Sequence, residues 1–382
     1  MRFAEFTDEW EKYELSHFVT RITRRNKNNK SSLPLTISAQ YGLVDQISFF
    51  NKTVASVDLS GYYLLYNGDF AYNKSYSNDY AWGAVKRLDK YEIGCLSSLY
   101  FVFRPNDNVD SDYLTHYFES SKWHKGISNI AGEGARNHGL LNMSVDDYFA
   151  TKHCLPSLPE QKKIARFFNA ITRRIEIQNK IIEDLKILKK ELCNRVFSKG
   201  SAVRLSELIE EVTIRNKSNT CDNVLSVSNK MGFIKQSEQF EDRTIASENK
   251  SNYKVVTKGC FAYNPARINV GSIALLSSHS VGIISPMYVC FKAKNVLDST
   301  YLSFYYQSDF FARELQKKLE GSVRQCLTYE NMREIIIPYV NVERQREIAT
   351  ALNRFTMLIA TEEKCLKALQ KQKSYFLNAM FI

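Results

Sequence analysis

Proline and glycine are scarce in this chain, 7 and 15 among 382 residues, which excludes collagen-like and low-complexity architectures. No apolar run approaches the roughly 18 residues of a membrane span. The segment Met1-Arg2-Phe3-Ala4-Glu5-Phe6-Thr7-Asp8-Glu9-Trp10 carries acids where a signal peptide is apolar, so a cytoplasmic protein without a membrane partner is expected. The 8 cysteines are scattered, with no Cys-x-x-Cys pair and no histidine at a metal-ligand spacing, and reduced, mostly buried thiols are expected. The six histidines have no Ser, Cys or carboxylate partner at a recognisable spacing. Gly132-Glu133-Gly134 lacks the third glycine of a dinucleotide loop, because residue 137 is Asn, and no Walker-type loop occurs. These absences predict no catalytic residue, no metal and no cofactor.

What is present is apolar and basic. A hydrophobic fraction of 44% and an aromatic fraction of 13% describe a folded chain long enough for two or three domains. The net charge of +11 suggests a polyanionic partner, since Lys and Arg release counterions from phosphates.

The chain also repeats itself. Leu15-Ser16 and Arg25-Asn26-Lys27-Asn28-Asn29 return as Leu205-Ser206 and Arg215-Asn216-Lys217-Ser218-Asn219, and Gly42 returns as Gly232, all at a shift of 190. Phe70-Ala71-Tyr72-Asn73 returns as Phe261-Ala262-Tyr263-Asn264 at 191, Tyr113-Leu114 as Tyr301-Leu302 at 188, and Ile164-Ala165 as Ile348-Ala349 at 184. Such a period is far beyond the roughly 20 to 50 residues of solenoid repeats, so each copy is read as a whole domain and its target as two-part.

Each copy reads as mixed α/β. Tyr62–Tyr66, Leu99–Phe103 and Met287–Phe291 are aromatic and β-branched runs bounded by turn formers, as strands are. Helices are predicted over Ser111–Ser121 and its counterpart Ser299–Gly321. From Pro159 to about Phe197 there is no Pro or Gly, and Ile164, Phe168, Ile171, Ile175, Ile182, Leu185, Leu188 and Leu192 alternate spacings of three and four. A second seam runs through Ile348, Leu352, Phe355, Ile359, Leu366, Leu369 and Phe376. Gln178 and Glu362, at the shared shift of 184, are polar positions of the two seams. Antiparallel pairing about a pseudo-twofold axis would set Ile164 against Phe376, Ile171 against Leu369, Leu185 against Phe355, and Gln178 against Glu362. Alternatively, each helix packs on its own domain. The expected layout is domain 1 over 1–157, helix 1 over 158–199, domain 2 over 200–340 and helix 2 over 341–382.

Leu155-Pro156-Ser157-Leu158-Pro159-Glu160-Gln161-Lys162-Lys163-Ile164-Ala165 resembles the start of the conserved region in specificity subunits of Type I restriction-modification systems. Phe6-Thr7-Asp8-Glu9-Trp10, Gly68 to Ser75, Gly83 to Leu88, Ser97-Ser98-Leu99-Tyr100 and Gly134-Ala135-Arg136-Asn137 are similar to that family's target recognition domain. The second copy keeps Phe261-Ala262-Tyr263-Asn264, Gly282, Arg324, Ile337-Pro338 and Gln345, but has Arg344 where Glu160 stands and two extra residues after Pro338. The resemblance spans essentially the whole chain. It implies a non-catalytic DNA reader: one half-site per recognition domain, long helices acting as a ruler, methyltransferase subunits docked on the helices, and restriction subunits joining to form the nuclease.

Base reading needs Arg, Lys, Asn or Gln on loops held by a rigid scaffold. Three loops per copy fit: Gln40-Tyr41-Gly42 with Lys230-Met231-Gly232, Asn73-Lys74 with Asn264 and Arg267, and Arg136-Asn137-His138 with Arg324-Gln325. Asn73 and Asn264 equally suit plain turn chemistry. Lys27, Lys30 and Lys217 suit phosphate better than bases. Two rival functions are considered. A methyltransferase would carry an Asn-Pro-Pro-aromatic motif, which Asn264-Pro265-Ala266 resembles only superficially. A non-DNA coiled-coil adaptor would leave the basic charge and the paired Asn/Arg loops without a role.

Overall fold

The computed structural model describes residues 1–75, 80–131, 139–229, 231–239, 250–320 and 325–382. These form two units. Unit 1 comprises Met1–Asn179 with Cys365–Ile382, and unit 2 comprises Lys180–Lys364.

The triplet Phe70-Ala71-Tyr72 shows how unit 1 is layered. In a strand, successive side chains point to opposite faces. Phe70 and Tyr72 therefore enter one core with Phe101, Phe103, Tyr113, Tyr117 and Tyr148. Ala71 enters a second core with Leu35, Leu65, Leu96 and Val102. The strand Phe70–Asn73 lies inside an antiparallel four-stranded sheet of order Val19–Arg21, Phe101–Pro105, Phe70–Asn73, Ala84–Arg87. Facing the small-residue side are two antiparallel strand pairs, the hairpin Leu35–Ser38 with Gly42–Asp45 and the pair Tyr63–Tyr66 with Ile93–Leu96, joined by the parallel bridge Pro34 to Cys95. The strand Glu11–Glu14 pairs separately with Lys152–Leu155. Fully buried aromatics dominate the first core, each contributing about 1.5 to 3 kcal/mol by area.

Unit 2 is layered in the same way. Phe261 and Tyr263 enter one core, while Cys260 and Ala262 enter the other. Its first sheet has the order Ile209–Glu211, Val289–Ala293, Cys260–Tyr263, Ile273–Leu275. The bridge of unit 1 becomes a short parallel ladder, Val224 to Ile283 and Leu225 to Ile284, which joins Gly232–Lys235, Val224–Ser228, Val281–Ile284 and Lys254–Thr257 into a second four-stranded sheet. The expected strands are present with shifted edges: Tyr63–Tyr66, Phe101–Pro105 and Val289–Ala293.

The helix expected over Ser111–Ser121 runs Ser111–Glu119, with the Asp110 carboxylate accepting the Tyr113 N–H. Its counterpart is broken. Ser299–Tyr305 and Asp309–Gln316 are separate helices, because Ser308 accepts the Phe311 N–H and starts a new one.

Two 39-residue helices, Leu158–Val196 and Val342–Met380, each contribute to both units. Pro159 occupies the first turn, where its missing N–H costs nothing. Gly200, at φ +127°, lies where a side chain would strike the Tyr339 carbonyl. In unit 1 the two helices pack together: Phe167 meets Phe376 with ring centroids 5.0 Å apart, and Phe168 stacks on Phe381 at 5.6 Å. Phe376 thus packs on Phe167, whereas the seam arithmetic set it against Ile164. In unit 2, Lys186 pairs with Glu363 at 2.7 Å, and Cys193 shares a core with Ile348 and Leu352. Ile171, Ile182 and Leu369 are buried as expected, but Leu188 is exposed. A straight helix drifts against a strict 3.5-residue repeat. By residue 189 the inner face has moved one position, and the half-buried Lys189 lies 5.2 Å over the Phe304 ring. Gln178 is buried in unit 1, and Glu362 is half-buried in unit 2.

Cys95, Cys193, Cys260 and Cys290 are buried, whereas Cys365 is exposed and the other three thiols are half-buried, so burial of the thiols is less general than expected. Among the described residues no helix is long and apolar enough to cross a membrane.

Candidate nucleic-acid interface

The loop residues singled out by the repeat divide into those used by the fold and those left open. Asn26 is fully buried; its amide donates to the Ser31 carbonyl and accepts the Ser31 N–H, both at 2.9 Å. Asn216 makes the same pair of bonds with Cys221 at 3.0 and 3.2 Å. The repeated Arg joins in: Arg25 donates to the Gly61 carbonyl and Arg215 to the Asn252 carbonyl. The Arg-Asn-Lys signature is therefore a loop staple around a buried Asn, and its Lys27 and Lys217 are exposed. Lys30 is also exposed and donates to the Tyr66 hydroxyl at 2.8 Å.

Gln40 and Tyr41 occupy the tip of the hairpin between Leu35–Ser38 and Gly42–Asp45, both exposed, with Gly42 at φ +82°. Met231 and Gly232, at φ +69°, form the matching tip in unit 2, and Met231 is exposed. Lys230, Arg136, Asn137 and Arg324 lie outside the described residues, as does His138. Gln325 is exposed beside the Glu320–Cys326 bridge.

Asn73 accepts the Ser75 N–H at 3.0 Å, and its neighbour Lys74 sits 5.3 Å over the Phe101 ring. Asn264 is buried and accepts the Ala266 N–H at 3.1 Å, capping the 3-10 turn Pro265–Val270. Both asparagines thus perform the turn chemistry that was the alternative reading. The same cap gives Asn264-Pro265 a purely local role. Arg267, on that turn, is exposed.

Two cavities lie beside these loops. One in unit 1, about 600 Å³, is lined by Gln40, Lys86, Glu119, His124 and Lys373. Burial pushes the Lys86 ammonium below its usual range. Burial would raise the Glu119 carboxyl, but His116 at 3.0 Å and Lys373 at 2.9 Å outweigh it and hold it at about 2. The other, in unit 2, about 370 Å³, is lined by Asn229, Gln236, Asn264, Arg267, Met287 and Tyr288 among others. Sequence reading missed Asn229 and Gln236. The signal for Gln236 was available, since Gln46 precedes it by the same shift of 190. Among the described residues no group of His, Cys, Asp or Glu could hold a metal ion.

The start of each long helix carries a second pair of equivalent buried amides. Gln161 accepts the Asp110 N–H at 2.8 Å and donates to the Pro156 carbonyl at 2.9 Å. Gln345 accepts the Asp298 N–H at 2.7 Å and donates to the Val340 carbonyl at 2.7 Å. The two starts differ next door. Glu160 receives a bidentate pair from Arg2, both bonds 2.7 Å, whereas the Arg344 N–H is capped by Asn341 at 2.9 Å.

Comparison with known proteins follows this division. Residues 203–371 match the family model described as "Type I restriction modification DNA specificity domain". The type I restriction enzyme MjaVIII specificity subunit of Methanocaldococcus jannaschii is 25% identical over 75% of this chain and 73% of its own length. A provisionally named type I restriction enzyme MjaX specificity subunit from the same organism is 23% identical over 99% and 94%. Among solved structures, a chain from work on complex assembly and conformational transition of the type I R-M system superposes with a TM-score of 0.56 at 17% identity, covering 98% and 97% of the two chains. The Type-I restriction-modification system S subunit from M. genitalium gives 0.54 at 14% identity, covering 100% and 99%. These two likenesses concern the fold. The family model and the curated relatives agree on one role: the chain is similar to the specificity subunits of type I restriction-modification systems.

Proposed function

We propose that this chain recognises a bipartite DNA target, one half-site per recognition domain, and carries methyltransferase and restriction subunits to it. The domains are residues 1–157 and 200–340, each followed by a long helix, 158–199 and 341–382. The helices form an antiparallel coiled coil with pseudo-twofold symmetry, with Gln178 facing Glu362. The observation that carries this reading is the repetition of internal contacts as well as letters: Asn26 and Asn216, Gln161 and Gln345 make matching bonds inside separate units. A duplicated framework with exposed, differing residues at equivalent hairpin tips is what two unlike half-sites require. Gln40, Tyr41, Lys74, Lys230, Arg267 and Gln325, with Arg136, Asn137 and Arg324, are the proposed DNA-facing set, and Asn73 and Asn264 shape its loops. The net charge of +11 supplies the electrostatic part of binding.

Methylation mapping in cells carrying the complete system tests this. The expected result is a motif of two specified segments separated by a fixed unspecified spacer, lost when this chain is deleted. A single continuous motif, or methylation independent of the chain, sinks the reading. A non-DNA adaptor would show no salt-dependent binding to duplex DNA even with its partners bound.

A further inference from the structure

In unit 2 three polar side chains converge on one cavity with their hydrogen-bonding groups unused. Asn229 follows the strand Val224–Ser228, Gln236 opens the short helix after the hairpin, and Arg267 lies on the turn after Cys260–Tyr263. All three line the cavity of about 370 Å³. Among the described residues, none of their side-chain groups has a hydrogen-bond or ion-pair partner. Polar groups around them are engaged instead: Asn264 caps its turn, Ser272 donates to the Val227 carbonyl at 3.4 Å, and the Ser226 and Tyr288 hydroxyls pair at 3.3 Å. The cavity floor is thus held by internal bonds while its rim presents two amides and a guanidinium. Two apolar side chains, Val270 and Met287, stand exposed on the same rim, each 59%.

Two amides, a fork of N–H donors and an apolar contact are the side chains that match purine edges and a thymine methyl in the major groove. A surface site for phosphate alone would need cations and no paired amides. Unit 1 repeats the floor and changes part of the rim. Thr36 and Tyr100 hydroxyls lie 3.5 Å apart where Ser226 and Tyr288 stand, and Gln46 stands at the place of Gln236, whereas Asn229 is replaced by Ala39.

We propose that Asn229, Gln236 and Arg267 are the specificity-determining residues of the second recognition domain, reading base edges of one half-site at this cavity. The proposal rests on the DNA-reading function stated above and assigns it to residues.

The test uses the full chain co-expressed with its own methyltransferase subunits, and the readout is the ratio of methylation at intact sites to that at sites altered by one base. Asn229→Ala, Gln236→Ala and Arg267→Ala are each expected to lower that ratio roughly ten-fold or more at one or two positions of a single half-site, leaving the other half-site and the spacer unchanged. Arg267→Lys keeps the charge and loses the fork, so it should relax the same position as Arg267→Ala while retaining most methylation; it decides the matter if the Ala variants fail to fold. A uniform fall in methylation with both half-sites intact overturns the proposal in favour of a phosphate or structural role. An unchanged motif and rate also overturn it. If the unaltered chain directs no bipartite motif, the function itself fails, which is a separate and recognisable result.

Discussion

Units 1 and 2 solve the same packing problem with different polar chemistry. Both stack a pair of phenylalanines across the first sheet, Phe70 on Phe103 at 5.5 Å and Phe261 on Phe291 at 5.2 Å. Both anchor a helix start through a buried glutamine. They diverge beneath the turn before the Phe-Ala-Tyr strand. In unit 1, fully buried Asp69 accepts the Tyr66 N–H at 2.8 Å and Arg104 Nε at 2.6 Å, and also pairs with Arg24. In unit 2 the same place holds Cys260, whose sulfur accepts the Thr257 N–H at 3.4 Å. Burial pushes the Asp69 carboxyl up even with the Tyr66 N–H and both guanidiniums holding it down. A carboxylate whose partners fall short of offsetting its desolvation is replaceable by a small apolar group, and unit 2 has Cys260 there. At this buried position, then, the two units use interchangeable chemistry within a common framework.

The largest expected effect comes from breaking the unit 1 cluster. Asp69→Ala strands the Tyr66 N–H and leaves two part-exposed arginines without their carboxylate, and should destabilise unit 1 by about 1 to 3 kcal/mol. Transplanting the unit 2 residues together, Asp69→Cys with Arg24→Ile and Arg104→Lys, should cost under about 1.5 kcal/mol, because the residues act as a set. Hydrogen exchange of unit 1 amides in the full chain measures both, and equal losses for the single and triple variants would contradict the interchangeability.

Next in size is an acid response confined to unit 1. His153 is buried, its ring nitrogens bonded to the Tyr117 hydroxyl at 2.7 Å and the Thr151 hydroxyl at 2.8 Å, and burial lowers its pKa to about 4. Ile337 occupies the place in unit 2. Between pH 6.5 and 4 the unfolded state binds the extra proton, so this contribution is fully present above about 6.5 and is lost as pH falls toward 4, at most about 3 kcal/mol. Urea unfolding across that window should weaken unit 1, and His153→Phe should flatten the slope. A slope unaffected by His153→Phe would assign the acid response elsewhere.

A smaller and symmetric effect is expected at the helix starts. Gln161→Ala and Gln345→Ala each strand a part-buried N–H and should cost about 1 to 2 kcal/mol, alike within roughly 1 kcal/mol. Markedly unequal losses in thermal unfolding would mean that the two starts are not equivalent.

Much of this framework was legible in the letters because its causes are local. Pro159 and the Gly-free, Pro-free stretch after it mark a long helix, and paired shifts of 190 and 191 mark equivalent turns. Other features depend on distant partners or on drift. Leu188 looks like seam until helix rotation turns Lys189 inward. Ser308 looks like one more helical residue until it caps a new helix. Asn264 reads equally as a base reader and as a turn former, and its side-chain oxygen accepts the Ala266 N–H at 3.1 Å in the folded turn. The unit 2 cavity was illegible as a whole for a related reason: Asn229, Gln236, Arg267 and Met287 come from four segments belonging to two sheets, which meet only in the folded unit.

The most direct test of the two-part reading exchanges residues 201–340 for the equivalent segment of a related specificity subunit and maps methylation by the chimera with its partner subunits. A motif with one half-site replaced, the other retained and the spacer kept is the predicted result. Both half-sites altered together, or neither, would contradict it.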